Sequence, residues 1–160
     1  MLSQTGIYAL RAMGYLANQE TGEPILTQVI SEKTGIPKNF LSKILNRLVQ
    51  GGLVQSVRGR GGGFVLARPA NEIYLKDVVG LFMKMDDFKN CFLGVDTCNG
   101  KCGLHEKWHT IVVEFEKMIG ETAVDQIGWR RPSKKKVQHV KKNRHNPQKR
   151  RKENESSQPL

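Results

Sequence analysis

The 160 residues of this chain predict a mainly α fold with a small β-wing, closed by a long carboxy-terminal helix. Three patterns carry that expectation. Apolar residues recur at three- and four-residue steps through the first fifty positions, two short β-prone runs flank a glycine-rich stretch around residue 60, and an apolar stripe at helical spacing returns after Gly103.

The first predicted helix covers residues 3–18, with Ile7, Leu10, Met13 and Ala17 as its buried stripe. Residues 20–24, Glu-Thr-Gly-Glu-Pro, then turn the chain. A short second helix is expected over 27–33, with Val29 and Ile30 inward. Gly35 breaks it, and Pro37 suits the start of a third helix, because its fixed φ and missing N–H match a first turn. In that helix Leu41, Ile44, Leu45, Leu48 and Val49 stand at i, i+3, i+4, i+7 and i+8, which makes one apolar face. The other face carries Asn39, Ser42, Lys43, Asn46 and Gln50, able to hydrogen-bond base edges, with Lys38 and Arg47 in reach of phosphates. A short helix, a tight glycine turn and a second amphipathic helix make a helix-turn-helix. The same pattern also fits an ordinary helical hairpin with a solvated polar face.

The next segment separates the two. Gly51-Gly52 ends the helix, residues 53–57 and 64–67 read as strands, and Arg58-Gly59-Arg60-Gly61-Gly62-Gly63 joins them. Helix-turn-helix followed by a β-hairpin is the order of a winged helix. Its glycine-rich tip can approach a DNA backbone closely, and Arg58 and Arg60 can reach phosphates or a narrow minor groove. The candidate DNA-contacting set is therefore Lys38, Asn39, Ser42, Lys43, Arg58, Arg60, Gly61 and Gly62. These glycines do not form a phosphate loop. No Gly-Lys-Ser/Thr follows them, and Phe64 or Leu66 stands where a dinucleotide fingerprint needs its third glycine. Beyond Pro69, residues 75–83 predict another short helix, packed on the wing.

Charge is unevenly spread. Twelve of the 26 Lys and Arg and two of the 15 Asp and Glu fall in residues 130–160, so the remainder of the chain is nearly neutral. That basic segment has no aromatic residue and few apolar ones, and is predicted to be disordered. It either adds sequence-independent attraction for nucleic acid or is a solvated tail without a role of its own. No apolar run approaches the roughly 20 residues that span a bilayer, and the first fifteen positions lack a signal-peptide core. A cytoplasmic protein without membrane contact is expected.

Cys91, Cys98 and Cys102 are the three cysteines, separated by six and then three residues, and His105 follows after two more. An odd, clustered set in a cytosolic chain points to ligation or redox chemistry and not to a disulfide framework. Three thiolates and an imidazole suffice for an iron–sulfur cluster, and structural zinc accepts the same set. Unligated thiols acting as a redox switch are the third reading. His105-Glu106-Lys107-Trp108-His109 also matches the H-E-x-x-H pattern of zinc hydrolases, with Glu121 and Asp125 downstream as further carboxylates. The match is short, its surroundings are too small for a substrate cleft, and His105 has the cysteines as companions. No enzyme activity and no small-molecule substrate are expected.

LSQTGIYALRAM at the start, GIPKNFLSKILNRL in the third helix and GLVQSVRGRGGGFVLARP in the wing closely resemble one bacterial family. Its members are winged-helix regulators typified by the iron–sulfur assembly regulator IscR and the nitric-oxide-responsive repressor NsrR. The resemblance covers residues 1–128, and the wing is its most specific part. It implies a homodimer on a palindromic DNA operator, with a long carboxy-terminal helix as much of the dimer contact. Here that helix would begin near Gly103 and present Trp108, Ile111, Val112, Phe115, Met118 and Ile119, a stripe that packing within one chain would also explain. The resemblance further implies an iron–sulfur cluster on Cys91, Cys98 and Cys102, with His105 at the position of the histidine ligand of the IscR branch. The acidic ligand of the NsrR branch would fall at Ile7, which cannot ligate, so a Cys3His [2Fe–2S] centre is favoured over [4Fe–4S]. The gap between Cys98 and Cys102 is shorter than is usual in the family, and Gly100 and Gly103 loosen the loop around it.

The expected organisation is a winged helix-turn-helix DNA-binding domain over 1–84, a cluster-binding loop over 85–102, a dimerisation helix region over 103–129 and a basic tail over 130–160. The expected function is that of a sequence-specific transcriptional regulator, a repressor, sensing redox state, nitric oxide or iron–sulfur status.

Overall fold

A computed structural model of the chain describes residues 2–19, 22–84, 86–94 and 100–128. Helix α1 spans Gln4–Ala17 and starts on a Ser3 cap, whose Oγ accepts the Gly6 N–H at 3.1 Å. Its buried stripe differs from the expected one. Ala9, Ala12, Met13 and Leu16 are buried, while Ile7, Leu10 and Ala17 are only partly so. Small residues decide this. Alanines and Gly14 let other elements approach the α1 backbone closely, and a Cβ on Gly14 would stand 3.0 Å from Cγ2 of Ile127.

Helix α2, Thr27–Thr34, buries Ile30 fully and leaves Val29 partly exposed. Gly35 ends it in the left-handed region at φ 70°, where a Cβ would be strained. Pro37 stands just before helix α3, Lys38–Gln50, and its carbonyl accepts the N–H groups of Phe40 and Leu41. Leu41, Leu45 and Leu48 are 0% exposed and Ile44 is 2% exposed. Burial of such side chains contributes about 2 kcal/mol each, so this face anchors α3 in the core.

The wing is an antiparallel pair, β1 (Val54–Val57) with β2 (Gly63–Leu66), in the register Val54 opposite Leu66 and Val57 opposite Gly63. A third extended residue joins it. Ile25 and Phe64 exchange both backbone hydrogen bonds at 2.9 Å. Gly63 makes this possible, since a Cβ there would lie 2.4 Å from the Ile25 carbonyl oxygen.

Helix α4 is shorter than predicted, Leu75–Gly80, and packs against α1 and the last long helix, not on the wing. The cause is a return of the chain. Tyr74 bridges Ala123, the Leu75 N–H donates to the Thr122 carbonyl, and the Val124 N–H donates to that of Ile73, each at 2.9 Å. Ile73, Val78, Val79 and Val124 are all 0% exposed as a result. A one-turn helix α5, Asp86–Lys89, precedes the cysteine segment, and helix α6 spans His105–Glu121. The basic segment 130–160 lies outside the described residues. Among those described, no helix is long and apolar enough to cross a membrane.

Candidate DNA-binding surface and cysteine recess

The candidate DNA-contacting residues of α3 lie at its surface. Lys38, Asn39 and Lys43 are exposed, and Ser42 is partly exposed with its hydroxyl donating to the Lys38 carbonyl at 2.9 Å. Arg47, expected to reach phosphates, has its guanidinium over the Phe82 ring, 5.4 Å from the centroid. The carboxy-terminal end of α3 is thus held to the segment after α4, and the polar face of its amino-terminal half is exposed.

At the wing tip Arg58, Arg60 and Gly61 are exposed, with Gly59 at φ 93° and Gly61 at φ 79° shaping the turn. Gly62 is different. It is buried, its N–H donates to the Gly59 carbonyl at 3.0 Å, and a Cβ there would lie 2.4 Å from the Val57 carbonyl oxygen. Its lack of a side chain serves closure of the tip. Neither α3 nor the hairpin contains an acidic residue, so every charged side chain on the two elements is basic. One exposed residue had no sequence signal of function: Phe40, 54% exposed in the first turn of α3.

The second concentration of chemistry lies at the start of α6. A recess of about 520 Å³ there is lined by Cys91, Cys102, His105, Trp108, His109 and Glu116, among others. Contacts between described residues hold the segment 89–94 against the helix. Lys89 pairs with Glu116 at 3.3 Å, the Trp108 indole N–H donates to the Asn90 carbonyl at 3.1 Å, and the Phe92 and Trp108 rings meet with centroids 5.1 Å apart. Sequence alone placed Trp108 in a dimer stripe and had no signal for this latch. Cys91 is half-buried, and Cys102 and His105 are exposed. The backbone N–H of His105 donates to the Cys102 carbonyl at 3.0 Å, which sets the two side by side.

Of the four expected ligands the structure brings Cys91, Cys102 and His105 to one recess, and Cys98 lies outside the described residues. No group of three His, Cys, Asp or Glu among the described residues is close enough to hold a metal ion. The donor types fit a thiolate- and imidazole-bound cluster nonetheless. Gly100 lies against the imidazole at φ 75°, and a Cβ there would stand 3.4 Å from His105 Nε2, so the missing side chain leaves that edge of the ring open. His109 shares the recess, so both histidines of the HEKWH run face it.

The apolar stripe of α6 divides in two. Val112 and Ile119 are 5% and 3% exposed and face the chain's own core. Leu104, Ile111 and Met118, seven residues apart in turn, are 44%, 58% and 51% exposed. With Trp108 and Phe115 between them, partly exposed, they make a 4-3-4-3 seam.

A helix-turn-helix whose second helix is basic and projecting, followed by an arginine-tipped hairpin, defines a winged-helix DNA-binding protein. The chain belongs to the Rrf2 family, whose model, described as an iron-dependent transcriptional regulator, matches residues 2–128. It is 38% identical over 129 residues to the HTH-type transcriptional regulator IscR of Klebsiella pneumoniae (strain 342), covering 79% of this chain and 78% of that one. It is 31% identical over 128 residues to IscR of Xenorhabdus nematophila, covering 79% and 77%. Among solved structures it resembles CymR, the global cysteine regulator of B. subtilis, with a TM-score of 0.68 at 22% identity over 79% of this chain and 95% of that one. It also resembles T. potens IscR, with a TM-score of 0.63 at 21% identity over 82% and 93%. The two structural likenesses concern the fold. The relatives are transcriptional regulators and not enzymes, which leaves the HEKWH run without a hydrolase role.

Proposed function

We propose that this Rrf2-family regulator is a homodimeric, cytoplasmic repressor that binds a palindromic operator and responds to redox state, nitric oxide or iron–sulfur supply. The sensing part rests on one observation: Cys91, Cys102 and His105 line a single recess that is latched to α6. Cys91, Cys98, Cys102 and His105 would hold an iron–sulfur cluster, with a [2Fe–2S] centre favoured by the Cys3His donor set. When bound, such a cluster supplies a redox-active centre whose charge and integrity change with its surroundings.

The rest is work of the chain itself. Cys91 belongs to the segment beside α5, and His105 to α6, so ligation would tie the two elements together. Phe92 and Trp108 would limit water access on that side. The seam of Leu104, Ile111 and Met118 would pack against the same helix of a second copy, because a one-chain fold leaves it wet. Two-fold symmetry would then place two α3 helices in major grooves about 34 Å, or a multiple of it, apart. Asn39, Ser42 and Lys43 would read base edges, while Lys38, Arg58 and Arg60 would contact phosphates or the minor groove. The basic segment 130–160 would add affinity that does not depend on sequence.

The test is oxygen-free purification of the full chain, followed by a visible spectrum with iron and sulfide analysis. Visible absorbance with bound iron and sulfide, lost in Cys98→Ala, supports the cluster. Bound zinc without colour would replace it with a structural metal, and no metal after attempted reconstitution would leave a thiol switch. In either case the DNA-binding assignment is untouched.

A further inference from the structure

We propose that Phe40 reads a thymine methyl group, as an apolar specificity contact at the amino-terminal end of the recognition helix. This goes beyond the family's DNA binding and assigns a base-reading role to a residue outside the polar set named above.

The exposure of Phe40 is not shared by the other large apolar residues of its helix. Leu41, Ile44, Leu45 and Leu48 are at most 2% exposed, so the core beneath α3 is complete without it. Phe40 alone, at 54%, remains outside. It sits in the first turn of α3, beside the strip that carries exposed Asn39 and, one turn on, exposed Lys43. In a helix-turn-helix the first residues of the second helix are those that meet base edges in the major groove. The C5-methyl of thymine is the apolar group displayed there, and Phe is one of the side chains that match it. Charge fixes the occupant as DNA. Lys38, Lys43 and Arg47 are the only charged residues on α3, and the neighbouring wing adds Arg58 and Arg60. A protein partner would have to match an apolar ring within an unrelieved basic field, whereas a duplex supplies phosphates and methyl groups together. Asn39 and Lys43 lie together on the strip of α3 beside Phe40 and suit adenine and guanine, so the expected half-site has a dT next to bases that those two can bond.

The experiment uses the full chain and duplexes that it enriches from a random-sequence pool. Each dT of the enriched half-site is replaced by dU, which removes only the methyl group. At one such position, the change in a single half-site should weaken binding by about fourfold, the worth of one buried methyl. Phe40→Ala should bind the dT and dU duplexes equally, and Phe40→Leu should keep part of the preference. Circular dichroism of both variants guards against loss of fold. A half-site without an invariant dT overturns the proposal, as does a dU effect of unchanged size in Phe40→Ala. A change in oligomeric state in Phe40→Ala with no dU effect in the parent also overturns it, by assigning the ring to a protein contact. Failure to enrich any sequence would remove sequence-specific binding itself, and this proposal with it.

Discussion

The indole N–H of Trp108 donates to the backbone carbonyl of Asn90 at 3.1 Å, across a gap of eighteen positions in the chain. Phe92 packs at a tilt against the same indole, so one side chain on α6 fixes both flanks of Cys91. Trp108→Phe keeps an aromatic surface and removes the donor. A net hydrogen bond of this kind is worth about 1 kcal/mol. The amides of residues 90–94 should exchange about fivefold faster in the variant, with those of α3 unchanged. Equal exchange in parent and variant would show that the ring contact alone holds the segment.

The exposed seam of α6 makes a separate prediction about assembly. Met118→Glu places a charge at a position that is half-exposed in one chain and would be enclosed in a dimer. Light scattering should report a monomer at concentrations where the parent is a dimer, with helicity retained. A variant that stayed dimeric would move the interface to another surface. Val112→Glu should instead unfold the protein, because Val112 is only 5% exposed within the chain.

At the wing, Arg60→Ala should weaken operator binding and make the salt dependence shallower by about one unit of log–log slope, the signature of one lost phosphate contact. A chain ending at residue 129 should lose more of that slope while keeping the same preferred sequence. If the shortened chain changed its preference, the basic segment would have a reading role.

Gly63→Ala tests the unexpected bridge from Ile25 to the wing. The added Cβ would fall 2.4 Å from the carbonyl oxygen of Ile25, a backbone atom that cannot step aside. Urea unfolding should show a loss of about 3 kcal/mol, at the upper end of ordinary substitutions. Gly59→Ala meets no atom within 4 Å, so its effect should be smaller and should come from φ 93° alone.

Much of this molecule is written in local pattern. The apolar face of α3, the Gly35 turn, the opening at Pro37 and the two strands of the wing are all short-range signals, and each stands within a residue or two of where periodicity places it. The closeness of Cys91, Cys102 and His105 in sequence was legible, and all three line one recess, although no three donors among the described residues stand close enough for one metal ion. The rotated stripe of α1 was not. Its contacts are set by several elements from distant parts of the chain, and alanine and glycine carry little hydrophobic signal although they permit the closest approach.

Chemistry and periodicity along the chain therefore determined the helix-turn-helix, the basic wing and the grouping of thiols with an imidazole. Only tertiary packing decided which of those residues face outward. It turned Gly62 in, laid Arg47 on Phe82, left Phe40 in the open and split the α6 stripe into a buried face and an exposed seam. The physical reason is range. Helix and strand periods are properties of neighbours three or four positions apart, whereas exposure depends on what arrives from elsewhere, as Ile25 reaches Gly63 and Ala123 reaches Tyr74.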